Sequence, residues 1–234
     1  MNKILVVAEN ISEKSAEKLI EMGYSLIFIP KNPILEPEIA CHPDMSIAVI
    51  KDKVFIDSSV AHLFDRAQRK IKCDRQAENK IMLKYPDSIE FNCVGVGDRL
   101  ICNKKYTNKT ILKYAQNYGI EVIDVKQGYS KCSVCVVSDS AIITEDDSIE
   151  KACENAGIDV LKISKGYVEL DGYDYGFIGG CSGMLEKNLL AFNGCIENHP
   201  NYNKITDFCS KHGVQAISLN DEKLCDVGSI IRIK

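Results

Sequence analysis

Short apolar runs alternate along the chain with segments whose apolar positions recur at i, i+3 and i+4. The same succession returns five times. The unit opening near residue 2 reads Lys3-Ile-Leu-Val-Val-Ala-Glu9, then a helix expected over 12–22, Gly23, and Ser25-Leu-Ile-Phe-Ile29. The unit opening near residue 140 reads Ala141-Ile-Ile-Thr-Glu-Asp-Asp147, a helix to Ala156, Gly157, and Ile158-Asp-Val-Leu-Lys-Ile163. Three further units open near 53, 98 and 188. Asp147-Ser148 supplies N-cap candidates, and Gly23, Gly119, Gly157 and Gly213 stand where a left-handed residue ends a helix.

Joints between units read as hairpins. Ile47–Ile50 and Val54–Ile56 flank Lys51-Asp52-Lys53, Val134–Val137 and Ala141–Ile143 flank Ser138-Asp139-Ser140, and Gly97-Asp98 is a turn signal between Val94 and Leu100. The joint at 177–184 is longer and rich in glycine, which a turn with positive φ explains. The chain ends on a first hairpin strand, Ile230–Ile233, and begins on a second one, Ile4–Val7. Pairing the two protects both edges, so one domain over 1–234 is expected to be a closed five-bladed α/β propeller of five ββαβ repeats. The alternative, an open parallel α/β sheet, leaves the terminal strands unexplained.

Composition changes this picture little. The 234 residues are 45% apolar and 26% charged, enough for a sizeable core. No apolar run is long enough to span a bilayer, and the N-terminal run is too short for a signal peptide. Net charge is −4, and nucleic-acid binding would need a basic face. The densest basic stretch, 66–75, reads as the solvated face of an amphipathic helix. Eleven cysteines, an odd number, fall mostly in apolar patterns; they read as reduced thiols of a cytoplasmic protein. A small-molecule ligand is expected, with neither nucleic acid nor membrane as partner and no cofactor.

In a ring, the residues just before each first hairpin strand converge at one end of the axis. Those stretches hold His42 and Asp44, Glu90 and Asn92, Lys131 and Cys132, Asp174, and Cys225 with Asp226. Reactive and polar types there make the default site. Cys132 and Cys135 read as strand residues pointing to opposite faces, so no metal is expected. The 179–183 run lacks the strand-to-helix context and following Lys of a phosphate cradle. His62, His199 and His212 read as surface residues.

Five ββαβ units in a ring resemble the pentein, or guanidine-modifying, fold. His42-Pro-Asp-Met45, Gly176-Phe-Ile-Gly-Gly-Cys-Ser-Gly183, and Phe192-Asn-Gly194 followed by His199-Pro200 look like a clostridial-type branch of it. The resemblance implies a cysteine-dependent hydrolase or transferase acting on a guanidino or amidino compound. Cys225 would attack the guanidinium carbon and His42 would carry the proton. Asp44, Glu90, Asn92, Lys131, Cys132, Asp174 and Asp226 would bind substrate. Active members place a histidine in the third unit, where this chain has Tyr129, Lys131 and Cys132. A non-catalytic module binding a small molecule or protein at the same end is therefore the second expectation.

Overall fold

The computed structural model describes residues 3–64, 70–73 and 84–233. Five three-stranded sheets share one plan. In each, a central strand pairs antiparallel with one neighbour and parallel with the other. In sequence, β1 (Lys3–Ala8) leads through helix α1 (Glu13–Glu21) to β2 (Tyr24–Ile29). Next, β3 (Ile47–Ile50), β4 (Lys53–Asp57) and β5 (Lys70–Cys73) form the second sheet. The third holds β6 (Val94–Val96), β7 (Arg99–Cys102) and, after α2 (Lys109–Asn117), β8 (Glu121–Asp124). A one-turn helix α3 (Ser130–Ser133) runs into β9 (Val134–Ser138), paired with β10 (Ala141–Thr144), which passes through α4 (Asp147–Asn155) to β11 (Asp159–Lys162). The fifth comprises β12 (Ser182–Glu186), β13 (Leu189–Phe192), α5 (Tyr202–Lys211) and β14 (Gln215–Ser218). The last strand, β15 (Ile231–Ile233), returns to the first sheet, with Ile4 opposite Ile233 and Val6 opposite Ile231.

Local chemistry explains the helices. Side-chain oxygens of Ser12, Asn108 and Asp146 accept the first free amides of α1, α2 and α4. The cap of α4 is thus Asp146, one residue before the expected pair. Gly23, Gly119, Gly157 and Gly213 follow their helices with φ between +63° and +88°. Helices α1, α2, α4 and α5 each bury a stripe at i, i+4: Ser15 and Leu19, Ile111 and Ala115, Ile149 and Cys153, Ile205 and Cys209.

Strand β3 lies against β6, β6 against β9, β9 against β12 and β12 against β15. Ile231 and Ile233 pack with Ile47, Val54 and Ile56. All five of these strands border one cavity of about 160 Å³, where Ala48, Gly95, Val136, Met184 and Arg232 meet.

Two expectations are corrected. Residues 70–73 form a strand parallel to β4, not part of a helix, because Lys70-Ile71-Lys72-Cys73 alternates with a two-residue period; the rest of the 66–75 helix lies outside the described residues. The glycine-rich run is not the fourth joint's hairpin. That hairpin turns between Glu186 and Leu189, and 176–181 form the loop leading into β12. Its glycines answer close approach rather than positive φ: a Cβ on Gly179 would sit 2.5 Å from the carbonyl oxygens of Cys132 and Val134.

Among the described residues no helix is long and apolar enough to cross a membrane, and ten of the eleven cysteines, Cys73 apart, form no disulfide.

Candidate functional site

The stretches before β3, β6, β9, β12 and β15 come together at one end of the sheets, and their backbones set the site. Asn92 anchors it: its Oδ1 accepts the backbone N–H of Lys131 (2.7 Å) and Cys132 (3.3 Å), which fixes the turn of α3. Its Nδ2 donates to Cys132 Sγ at 3.1 Å. The Cys132 thiol in turn donates to Asp44 Oδ2 at 3.1 Å, and the Ser229 hydroxyl donates to the same oxygen at 2.8 Å. Lys131 Nζ donates to Ser229 Oγ at 2.9 Å. Asp44 Oδ1 has no hydrogen-bond partner among the described residues.

Beside this network stands His42, at the entrance of a 3₁₀ turn, Pro43–Met45. Its side chain is 1% exposed, and among the described residues neither ring nitrogen has a hydrogen-bond partner. Nδ1 lies 3.8 Å from Asp226 Oδ1, beyond hydrogen-bond reach. Asp226 is held instead by backbone N–H groups of Phe177 (2.9 Å) and Gly228 (3.0 Å). Gly180 is glycine because any Cβ would collide with the Asp226 carboxylate.

His42, Cys132 and Asp226 line a cavity of about 260 Å³, walled by Ile39, Tyr129, Leu170, Tyr175 and Phe177, with Tyr173 and Asp174 exposed at its mouth. Asp44 does not line the cavity; it stands behind the Cys132 thiol and accepts from it.

Burial dominates the electrostatics. It pushes the Asp44 carboxyl up, against the opposing pull of His42, and raises Asp226 to about 6 although two backbone amides favour its anion. Burial lowers His42, so the imidazole rests neutral. The Cys132 thiol is pushed well above its ordinary value, first by burial and then by Asp44 and Asp226. The resting site therefore holds a thiol and a neutral imidazole among buried carboxyl groups. A cation entering the cavity favours the ionised forms of thiol and carboxyl alike.

The expected site residues are not all brought to this cavity. Cys132 and Asp226 line it with His42, Asn92 orients the thiol, and Asp174 sits at the mouth. Lys131 borders the 160 Å³ cavity instead. Glu90 accepts from Asn108 Nδ2 at 3.3 Å, at the start of α2. Cys225 is half-buried against Ala8, Cys41 and Val227, outside the 260 Å³ cavity, and burial raises its thiol to about 11. Cys132 belongs to a helical turn rather than to the strand holding Cys135, which redirects its thiol.

Three features have little signal in the sequence. Ser229 adopts φ +73° next to Gly228 and is buried between Asp44 and Lys131; Gly-Ser there reads as an ordinary turn. Glu145 hides in an acidic run that resembles a helix start, yet it is 8% exposed and accepts the amide of Ile178 at 3.3 Å. His199 is buried rather than superficial, its Nδ1 accepting the Asn201 amide at 3.0 Å under the edge of Tyr167.

Glu145 gives a stability prediction. Burial lifts it to about 7 from an ordinary 4.5. A carboxyl raised on folding is protonated in the native state while the unfolded chain is ionised, so stability falls as pH rises from about 4.5 to 7. Glu145→Gln removes that ionisation cost, of about 3 kcal/mol at this shift. Thermal melts should show the variant more stable than the parent at pH 8 and nearly equal at pH 5. An equal difference at both values would contradict the assignment.

The model of a family described as "Family of unknown function (DUF6873)" matches residues 6–231. No curated protein matches the sequence. Among solved structures, a cysteine-to-serine mutant of DDAH from Pseudomonas aeruginosa complexed with citrulline is similar at TM-score 0.55 and 9% identity, covering 93% of this chain and 92% of that one. A C. jejuni agmatine deiminase mutant with substrate bound is similar at TM-score 0.54 and 12% identity, over 99% and 92% of the two chains. The amidinotransferase SxtG from Microseira wollei gives 0.50 and 9%, over 93% and 88%.

Proposed function

The chain belongs to the DUF6873 family and carries the fold of the pentein proteins, and from that premise we propose that it binds a planar amidino or guanidino cation and transforms it by thiol chemistry. One observation carries the reading. The 260 Å³ cavity joins a thiol, a neutral buried imidazole and a buried carboxylate, and no lysine or arginine is among the described residues lining it. Asp226, with Asp44 behind the thiol, favours a cation, and a guanidinium presents N–H groups in the geometry carboxylates accept.

In this mechanism Cys132, rather than Cys225, is the nucleophile. The cation lowers the thiol's resistance to ionisation, and the proton passes to Asp44 Oδ2, its hydrogen-bond acceptor. Sulfur adds to the central carbon. The C–N bond to the leaving amine then breaks, and that nitrogen takes the proton held by Asp44. Water releases the S-amidino group in a hydrolase, or an amine takes it in a transferase. The raised thiol favours a second reading, a module that holds the same cation without chemistry.

The β1–β15 pairing and the cavity shared by the five edge strands support closure of the five sheets into a single five-bladed α/β propeller over 1–234.

Calorimetric titration with an alkylguanidine, an amidine and the matched neutral urea tests the binding step. Both cations should bind, the urea should not, and Asp226→Asn should weaken the cations about 10- to 100-fold, the range of a charge-assisted hydrogen bond. Equal binding of the urea, or an indifferent Asp226→Asn that remains folded, would refute it.

A further inference from the structure

The donors at and behind the cavity wall also fit another kind of ligand. One ring nitrogen of His42, one carboxylate oxygen of Asp44 and Cys132 Sγ all lie within 4.8 Å of one another, and all three residues are buried. The metal reading rejected in the sequence concerned Cys132 and Cys135 on one strand. These donors come instead from two segments, one before β3 and one in α3.

We propose that His42, Asp44 and Cys132 bind a divalent ion of the zinc type, with a fourth coordination position open to the cavity. Nitrogen, oxygen and sulfur donors together select a borderline-soft ion over magnesium or calcium. Tetrahedral zinc with bonds near 2.0–2.3 Å places its donors roughly 3.3–3.8 Å apart, so a small contraction closes the site. Among the described residues neither His42 nitrogen nor Asp44 Oδ1 has a hydrogen-bond partner, so an ion bound at these atoms displaces none. Groups that orient metal ligands are already in place. Ser229 donates to Asp44, Asn92 donates to the sulfur, and the Asp226 carboxylate lies 3.8 Å from His42 Nδ1. Binding forms a metal–thiolate bond, and the thiol proton goes to solvent. The ion and an amidino cation compete for the same groups, so the inference stands whether or not the site turns over substrate.

Full-length protein stripped with a chelator is titrated with Zn²⁺ against a chromogenic chelator, and separately with Co²⁺ under an absorption spectrometer. One equivalent of Zn²⁺ should bind, with affinity rising about tenfold per pH unit as one proton leaves. Co²⁺ should give a thiolate charge-transfer band together with the intense visible bands of tetrahedral geometry. Cys132→Ser should abolish that band and weaken Zn²⁺ at least 100-fold. Ser229→Ala should weaken Zn²⁺ about 10- to 100-fold, and Cys225→Ser should change neither. No tight equivalent, a Co²⁺ complex of the parent protein without the thiolate band, or a site that survives Cys132→Ser would overturn the proposal. Because the spectrum is read on the parent chain, a variant that fails to fold leaves the test intact.

Discussion

Deleting residues 228–234 leaves a chain that does not fold. The first sheet takes its central strand from the N-terminus and its antiparallel edge from the C-terminus, with Leu5 opposite Arg232 and Val6 opposite Ile231. The deletion removes Ile230, Ile231 and Ile233, each under 10% exposed. Emptying a buried isoleucine site costs about 2–5 kcal/mol, so three together cost on the order of 6–15 kcal/mol. A domain of this size has a net stability of only about 5–15 kcal/mol. Ser229, whose hydroxyl and amide hold Asp44 and the Gly180 carbonyl, goes as well, and β1 is left with an open edge. Circular dichroism should show no cooperative melt, and size exclusion should show an expanded or aggregated chain. A truncated chain with an unchanged melting curve would count against the pairing as a structural necessity.

The second large effect falls on chemistry. Cys132→Ser should cost turnover of an amidino or guanidino substrate about 10³-fold or more, the scale on which loss of a nucleophile acts. The fold should survive, because a hydroxyl can still donate to Asp44 and accept from Asn92. Cys225→Ser, in a separate cluster with Ala8, Cys41 and Val227, should leave turnover within a few-fold. The reverse ranking would restore the last unit's cysteine as the nucleophile and remove the role given to Cys132.

The hairpins were readable because strands of period two and short turns are local features, and the pairing of the termini followed from two unpartnered edges. Residues 70–73 were harder, since basic residues around Ile71 suit one face of a helix as well as an alternating strand. The glycine-rich loop misled for a different reason. Glycine serves left-handed backbone and close approach equally, and only the structure shows Gly180 against Asp226. In the site, the convergent stretches were legible because each precedes an edge strand. The choice of thiol was not. It depends on α3, a single helical turn held by Asn92, which aims Cys132 at Asp44; nothing in Tyr129-Ser-Lys-Cys132 announces that turn. Ser229 and Glu145 were invisible because their importance comes from burial between distant segments.

If Cys132 is the thiol of a cation-accepting site, charge on a reagent's head group should govern its alkylation. A haloacetamidine and the matching haloacetamide differ in charge at the head group but carry the same alkylating carbon. Folded protein is treated with each, and every cysteine is followed over time by peptide mass spectrometry. Cys132 should be alkylated far faster by the amidine than by the amide, an alkylguanidine should protect it, and Cys225 should show no preference between reagents. Equal rates with both reagents at Cys132, or an amidine preference confined to Cys225, would contradict it.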